Sequence, residues 1–146
     1  MGEIIRRSKF NVKQRMGKPF PIVICNPDMA LEQEITSAGY QRYALNLPLA
    51  YALSAKPEGD RIKTVKETVL SLFPKRQACY LVDYEMLFDP RYELDVLKLF
   101  YEIARKQKVV AKWCGEYKPL TLIYAEPGYP EFKRYKVTDY DIICVI

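Results

Sequence analysis

The chain has 146 residues, 49% of them apolar and 28% charged, with a net charge of +5 and a pI near 8.9. That balance fits one globular domain able to close its own core. It excludes a disordered chain, and a spanning helix too, since no apolar run nears the roughly 18 residues a bilayer needs. The absence of histidine removes the commonest general base and with it any Ser-His or Cys-His mechanism.

The opening MGEIIRRSKF has no apolar stretch of the secretory kind, and Arg6 stands where a myristoylation signal needs Ser or Thr, so a cytoplasmic chain is expected. Residues 1–18, with Ile4, Ile5, Arg6, Arg7, Lys9, Lys13, Arg15 and Lys18, read as a basic helix ending near Gly17. The apolar run 21–25 is the first core strand. Asn26 and Pro27 then supply an N-cap and a first helical position, with Leu31, Ile35 and Ala38 on one face and Gly39 as the stop. A second apolar stretch, 43–47, is cut by Pro48, and 54–59 reads as a surface loop.

Asp60 is expected to cap a helix over 61–73 whose apolar face is Ile62, Val65, Val69 and Leu72, ended by Pro74. Residues 78–83 form a strand closing on Asp83. Asp89 and Pro90 restart a helix whose apolar face is Leu94, Leu97, Phe100 or Tyr101, and Ile103, and Arg105, Lys106 and Lys108 complement the dipole at its end. Residues 109–113 and 120–125 are two further strands, joined by a link too short for a parallel crossover and so expected antiparallel or offset. Residues 136–146 form a closing strand or an apolar tail. Alternation of strand and helix over 20–113 predicts a single α/β domain, its mostly parallel sheet covered on both faces and carrying an antiparallel edge.

Cys25, Cys79, Cys114 and Cys144 form no CxxC pair, and without histidine a zinc site is not expected; Cys25, Cys79 and Cys144 lie in apolar runs and read as buried thiols. The strand ending at Asp83, with Glu85 two residues on, has the form of an acid that helps hold Mg²⁺ in nucleotide-hydrolysing α/β folds, which makes Asp83 the one candidate metal ligand. The other half of such a site cradles phosphate with glycines and a lysine. Here the corresponding connection is Asn26-Pro27-Asp28, with neither, and Asp28 places its own carboxylate where phosphate would sit.

Glu116-Tyr117-Lys118 and Glu131-Phe132-Lys133 match the E-x-K half of a nuclease signature, with Asp28 or Asp83 as the second acid, but both are expected to be solvated turn charges. Residues 124–135 interleave aromatic and basic side chains, a mixture suited to a protein interface or to base stacking with phosphate contact.

Leu81-Val82-Asp83-Tyr84-Glu85-Met86-Leu87-Phe88-Asp89-Pro90, then Ala104-Arg105, Val109-Val110-Ala111-Lys112-Trp113, Gly115 and Tyr124-Ala125-Glu126-Pro127-Gly128-Tyr129-Pro130-Glu131, resemble BrxF, the small P-loop protein of type 3 BREX bacteriophage-exclusion systems. The likeness spans residues 78–135, with Leu45-Asn46-Leu47 a looser echo. It implies a P-loop NTPase-like three-layer sandwich over residues 1–146 and a place beside methyltransferase, helicase and phosphatase-like partners in antiphage defence. The family's glycine-rich Walker A loop is missing here. Catalytic residues are therefore none, with Asp83 and Glu85 as relic acids, and ATP with Mg²⁺ is a cofactor only if family activity is retained.

The expected partners are other defence proteins, DNA and a further copy of the chain, with no membrane. Candidate contact residues are Arg105, Lys112, Trp113, Tyr129, Lys133, Arg134 and Tyr135. Two alternatives accompany this expectation: a divergent ATPase or switch using Asp83 with a phosphate clamp from a partner chain, and a DNA-binding module.

Overall fold

A computed structural model describes residues 1–15 and 19–146. In chain order its strands are β1 (Glu3–Ile5), β2 (Ile22–Ile24), β3 (Gln41–Ala44), β4 (Cys79–Val82), β5 (Val109–Lys112), β6 (Glu116–Lys118), β7 (Thr121–Tyr124), β8 (Lys133–Lys136) and β9 (Ile143–Val145). Its helices are α1 (Val12–Arg15), α2 (Met29–Ser37), α3 (Asn46–Ser54), α4 (Glu58–Arg61), α5 (Val65–Leu72) and α6 (Val96–Ala104).

Six strands form one sheet in the order β1-β9-β2-β5-β4-β3, and its five neighbouring pairs all run parallel. Period-two alternation assigns each residue to a face. Val23, Cys79, Leu81, Val109, Ala111 and Cys144 meet the buried residues of α3, α5, α6 and the second sheet. Ile22, Ile24, Tyr80, Val82, Val110, Ile143 and Val145 meet Leu31 and Ile35 of α2 together with Phe10 and Val12. Two-sided burial explains why β2, β4 and β9 read as unbroken apolar runs.

The antiparallel strands are not an edge of this sheet. They form a separate sheet, β6-β7-β8, because β5 is already paired by β2 on one side and β4 on the other, leaving no open backbone for β7. Of the two arrangements expected for 109–113 and 120–125, the offset one holds. Gly115 makes the turn between the sheets possible: a Cβ there would collide with the Ile123 carbonyl oxygen.

The amino-terminal segment is not one basic helix. Glu3–Ile5 is a strand beside β9, a 3₁₀ turn follows at Arg7–Lys9, and among the described residues of the segment only Val12–Arg15 is α-helical. Burial of Ile5, Phe10 and Val12 outweighs local helix propensity. Gly17, expected to end that helix, lies outside the described residues. The carboxyl-terminal segment is a strand: β9 is inserted between β1 and β2, with every residue buried.

Helix α3 was not expected from sequence. Pro48 occupies its first turn, where the missing N–H costs no helical hydrogen bond, so this proline sits inside a helix rather than ending a strand. The helix expected over 61–73 is divided into α4 and α5, Asp60 lies within α4 rather than capping α5, and Ile62 is 44% exposed. Helix α6 starts later than Pro90: Asp89 caps a 3₁₀ turn, Glu93 takes a left-handed conformation that breaks the path, and the Asp95 carboxylate accepts the Lys98 N–H. The four cysteines are free thiols; Cys79 and Cys144 are buried and Cys25 and Cys114 half-buried.

Candidate functional site

In an open parallel sheet, ligands favour the carboxyl edge where adjacent strands send their connections to opposite faces. That place here is the end of β2 and β5: β2 leads to α2 on one face, and β5 leads to the β6-β7-β8 sheet on the other. A crevice of about 230 Å³ opens at this edge, lined by Glu32, Arg42, Val82, Asp83, Glu85, Lys112, Trp113 and Cys114. Asp83 and Glu85 are thus brought together with Lys112, as the end of β4 beside β5 requires.

Asp83 stands just past β4 in a left-handed conformation, φ 47°, which Asp tolerates better than most residues. The kink follows from packing. Tyr84, Leu87 and Phe88 turn straight into the core, and the Tyr84 hydroxyl donates to the Lys112 carbonyl at 2.7 Å, so the chain reverses at Asp83 and leaves its carboxylate at the rim. Arg42 approaches that carboxylate at 3.9 Å with both side chains more than half exposed, a pairing worth at most about 1 kcal/mol.

Glu85 is held by its own neighbourhood: its carboxylate accepts the Tyr84 N–H at 3.0 Å and the Asn46 side-chain amide at 3.4 Å. Asn46 in turn accepts the Met86 N–H, which ties the first turn of α3 to the segment after β4. The Tyr80 hydroxyl donates to Glu32 at 2.6 Å, and burial followed by that carboxylate raises the Tyr80 phenol above its usual range. Burial also pushes the Cys114 thiol up to about 12, which makes it a poor nucleophile. Among the described residues, no group of three or more Cys, Asp or Glu side chains is placed to hold a metal ion.

The connection after β2, where the sequence was compared with a phosphate loop, is closed by the chain itself. Asn26 is left-handed, φ 47°, and Asp28, not Asn26, is the N-cap of α2, its carboxylate accepting the Leu31 N–H at 2.8 Å. The cap lies two residues later than expected because the left-handed turn at Asn26 and Pro27 precedes the helix instead of opening it.

The contact residues expected from sequence are dispersed. Trp113 is 4% exposed, and its indole N–H donates to the Glu116 and Ile123 carbonyls; Tyr135 is equally buried, with its hydroxyl accepting the Val96 N–H. Both belong to the core between the two sheets and present no face to a partner. Lys133 and Arg134 alternate along β8, so Arg134 is exposed on the outer side while Lys133 shares the side of Tyr135. Tyr129 is exposed in the 126–132 turn, and Arg105 lies at the far end of the molecule, after α6. Glu116-Tyr117-Lys118 is strand β6 rather than a turn.

Sequence reasoning missed Arg42, Asn46 and Tyr80, which partner the acids. A polar residue ahead of an apolar Leu-Pro-Leu run was the available sign for Asn46; the Glu32–Tyr80 pair spans 48 residues and left no local sign. The fold defines the chain as an α/β protein with a parallel six-stranded sheet and a small antiparallel one. Comparison with protein-family models, curated proteins and solved structures finds no match. No helix among the described residues is long and apolar enough to cross a membrane.

Proposed function

We propose that this chain is a non-catalytic, P-loop-derived subunit of a cytoplasmic BREX-like antiphage defence complex, working through contacts with other defence proteins. The ordered resemblance over residues 78–135 supports the family placement. The arrangement of the sheet agrees with a P-loop ancestry: the loop after β2 and the acid after β4 open on the same edge, with β5 between their strands.

One observation carries the non-catalytic part. The N-terminus of α2, where a bound phosphate would meet free N–H groups, is filled by the Asp28 carboxylate. A phosphate entering there would displace a good cap and meet a like charge, with no glycine in the loop to let the backbone approach. Calorimetry with Mg-ATP and Mg-GTP is expected to show no heat of binding. Micromolar binding abolished by Asp83→Ala would overturn the proposal.

A second reading is favoured by Lys112, which reaches the same crevice as Asp83 without an ion-pair partner among the described residues. In that case the chain is a nucleotide switch whose phosphate clamp comes from a neighbouring protein. Hydrolysis seen only with partner proteins present, and lost in Lys112→Ala, is its signature.

A further inference from the structure

The opposite, amino-terminal edge of the sheet gathers positive charge. Lys75 and Arg76 lie in the loop entering β4, and Arg105, Lys106 and Lys108 in the loop entering β5. Pairing of β4 with β5 makes the loops neighbours, and the Gln107 side-chain amide locks them together by donating to the Gln77 carbonyl at 3.0 Å. All five cations are exposed, and none has an ion-pair partner among the described residues. Nearby Glu102 is already engaged by Lys66 at 2.7 Å.

Lys75, Arg76 and Lys106 line a groove of about 720 Å³ together with Glu67, Leu70, Ser71, Phe73 and Gln107. The carboxyl ends of α5 and α6 account for part of this charge, since a cation near a helix C-terminus offsets its dipole. That effect is confined to the helix end, where Arg105, the C-cap of α6, is the one cation in place, so it leaves most of the cluster unexplained.

We infer that this basic edge is a docking surface for the phosphate backbone of duplex DNA, read without regard to sequence. Unpaired cations on two adjacent loops suit a polyanion. The one aromatic ring in the groove, Phe73, is 6% exposed, so the groove offers no platform for stacking unpaired bases and no exposed aromatic anchor of the kind that centres a protein interface. The surface is distinct from Lys133 and Arg134 and does not depend on the defence-complex proposal.

Fluorescence anisotropy of a labelled 20-base-pair duplex of mixed sequence, titrated with the whole chain from 50 to 200 mM salt, tests this. Each phosphate contact contributes about −0.9 to the slope of log affinity on log salt, so three to five contacts give a slope of about −3 to −5. The triple variant Lys75→Glu/Arg76→Glu/Lys106→Glu is expected to lose at least tenfold in affinity and flatten the slope, whereas Lys133→Glu/Arg134→Glu leaves both unchanged. Acetylation of the unaltered chain gives a readout that needs no variant: duplex should protect Lys75, Lys106 and Lys108 but not Lys133. Absent duplex binding, protection of Lys133 alone, or tighter binding of polyglutamate than of duplex would overturn the inference, the last in favour of an acidic protein partner.

Discussion

Two acids at the carboxyl edge of the sheet look alike in sequence and do opposite things. The Asp28 carboxylate satisfies a backbone N–H that α2 would otherwise leave open, while Asp83 extends into solvent beside Arg42. Their removal should therefore separate. Asp28→Ala is expected to lower stability by about 0.5–2 kcal/mol, the usual cost of an N-cap, with Asp28→Asn nearly neutral. Asp83→Ala should cost less than about 0.5 kcal/mol because its pair is exposed and long. Urea unfolding followed by circular dichroism measures both; equal losses would mean that Asp83 has a structural partner beyond Arg42. Glu85 shows why an acid near a strand end is a poor guide to chemistry: each of its oxygens already accepts one hydrogen bond, from Tyr84 and from Asn46.

At the scale of elements, the small sheet is fastened to the large one by rings. Phe88 stacks on Tyr124 with centroids 3.8 Å apart and meets Trp113 edge-on at 5.9 Å, while Trp113 meets Tyr135 edge-on at 6.2 Å. Phe88→Ala is expected to cost about 3–5 kcal/mol, against less than about 0.5 for Tyr51→Ala on the exposed side of α3, as read from denaturation midpoints. Similar losses would place the energetic centre elsewhere. This fastening also explains which elements sequence could reveal. β2 and β4 were legible because two-sided burial makes continuous apolar runs, and α6 because Leu97, Phe100 and Ile103 repeat at helical spacing. β1 and α3 were not. Ile4 and Ile5 lead into Arg6 and Arg7, a pattern that suits a basic helix, and only the neighbouring backbone of β9 makes them a strand; Pro48 reads as a breaker until its place in a first turn is known.

For the whole molecule, twelve tyrosines and no histidine move the pH sensitivity of the fold to the alkaline side. Burial is the main cause that raises the phenols of Tyr80, Tyr84 and Tyr135, the last to about 12. A phenol raised above its unfolded value of about 10 contributes stability that is whole below pH 10 and is lost as pH climbs through the folded value. The Cys114 thiol, raised by burial from about 9, begins this loss earlier, so stability is expected to hold to about pH 9 and then fall, more steeply above pH 10, by up to about 1.4 kcal/mol per pH unit for each such group; urea midpoints at pH 8, 9, 10 and 11 check this. A flat profile to pH 11 would show that these rings ionise without unfolding.

The order of amino acids was enough to show the α/β class, the buried strands, the free thiols and the absence of a glycine-and-lysine phosphate-binding motif, because each depends on local pattern or on which residues the chain contains. Tertiary structure alone decided that the antiparallel strands form a second sheet, that β9 lies inside the first, that Trp113 and Tyr135 are core, and that the two basic loops share one edge. Those outcomes depend on which backbone edges are already occupied and which distant rings meet, and such pairings across the chain leave no periodicity for a sequence to display.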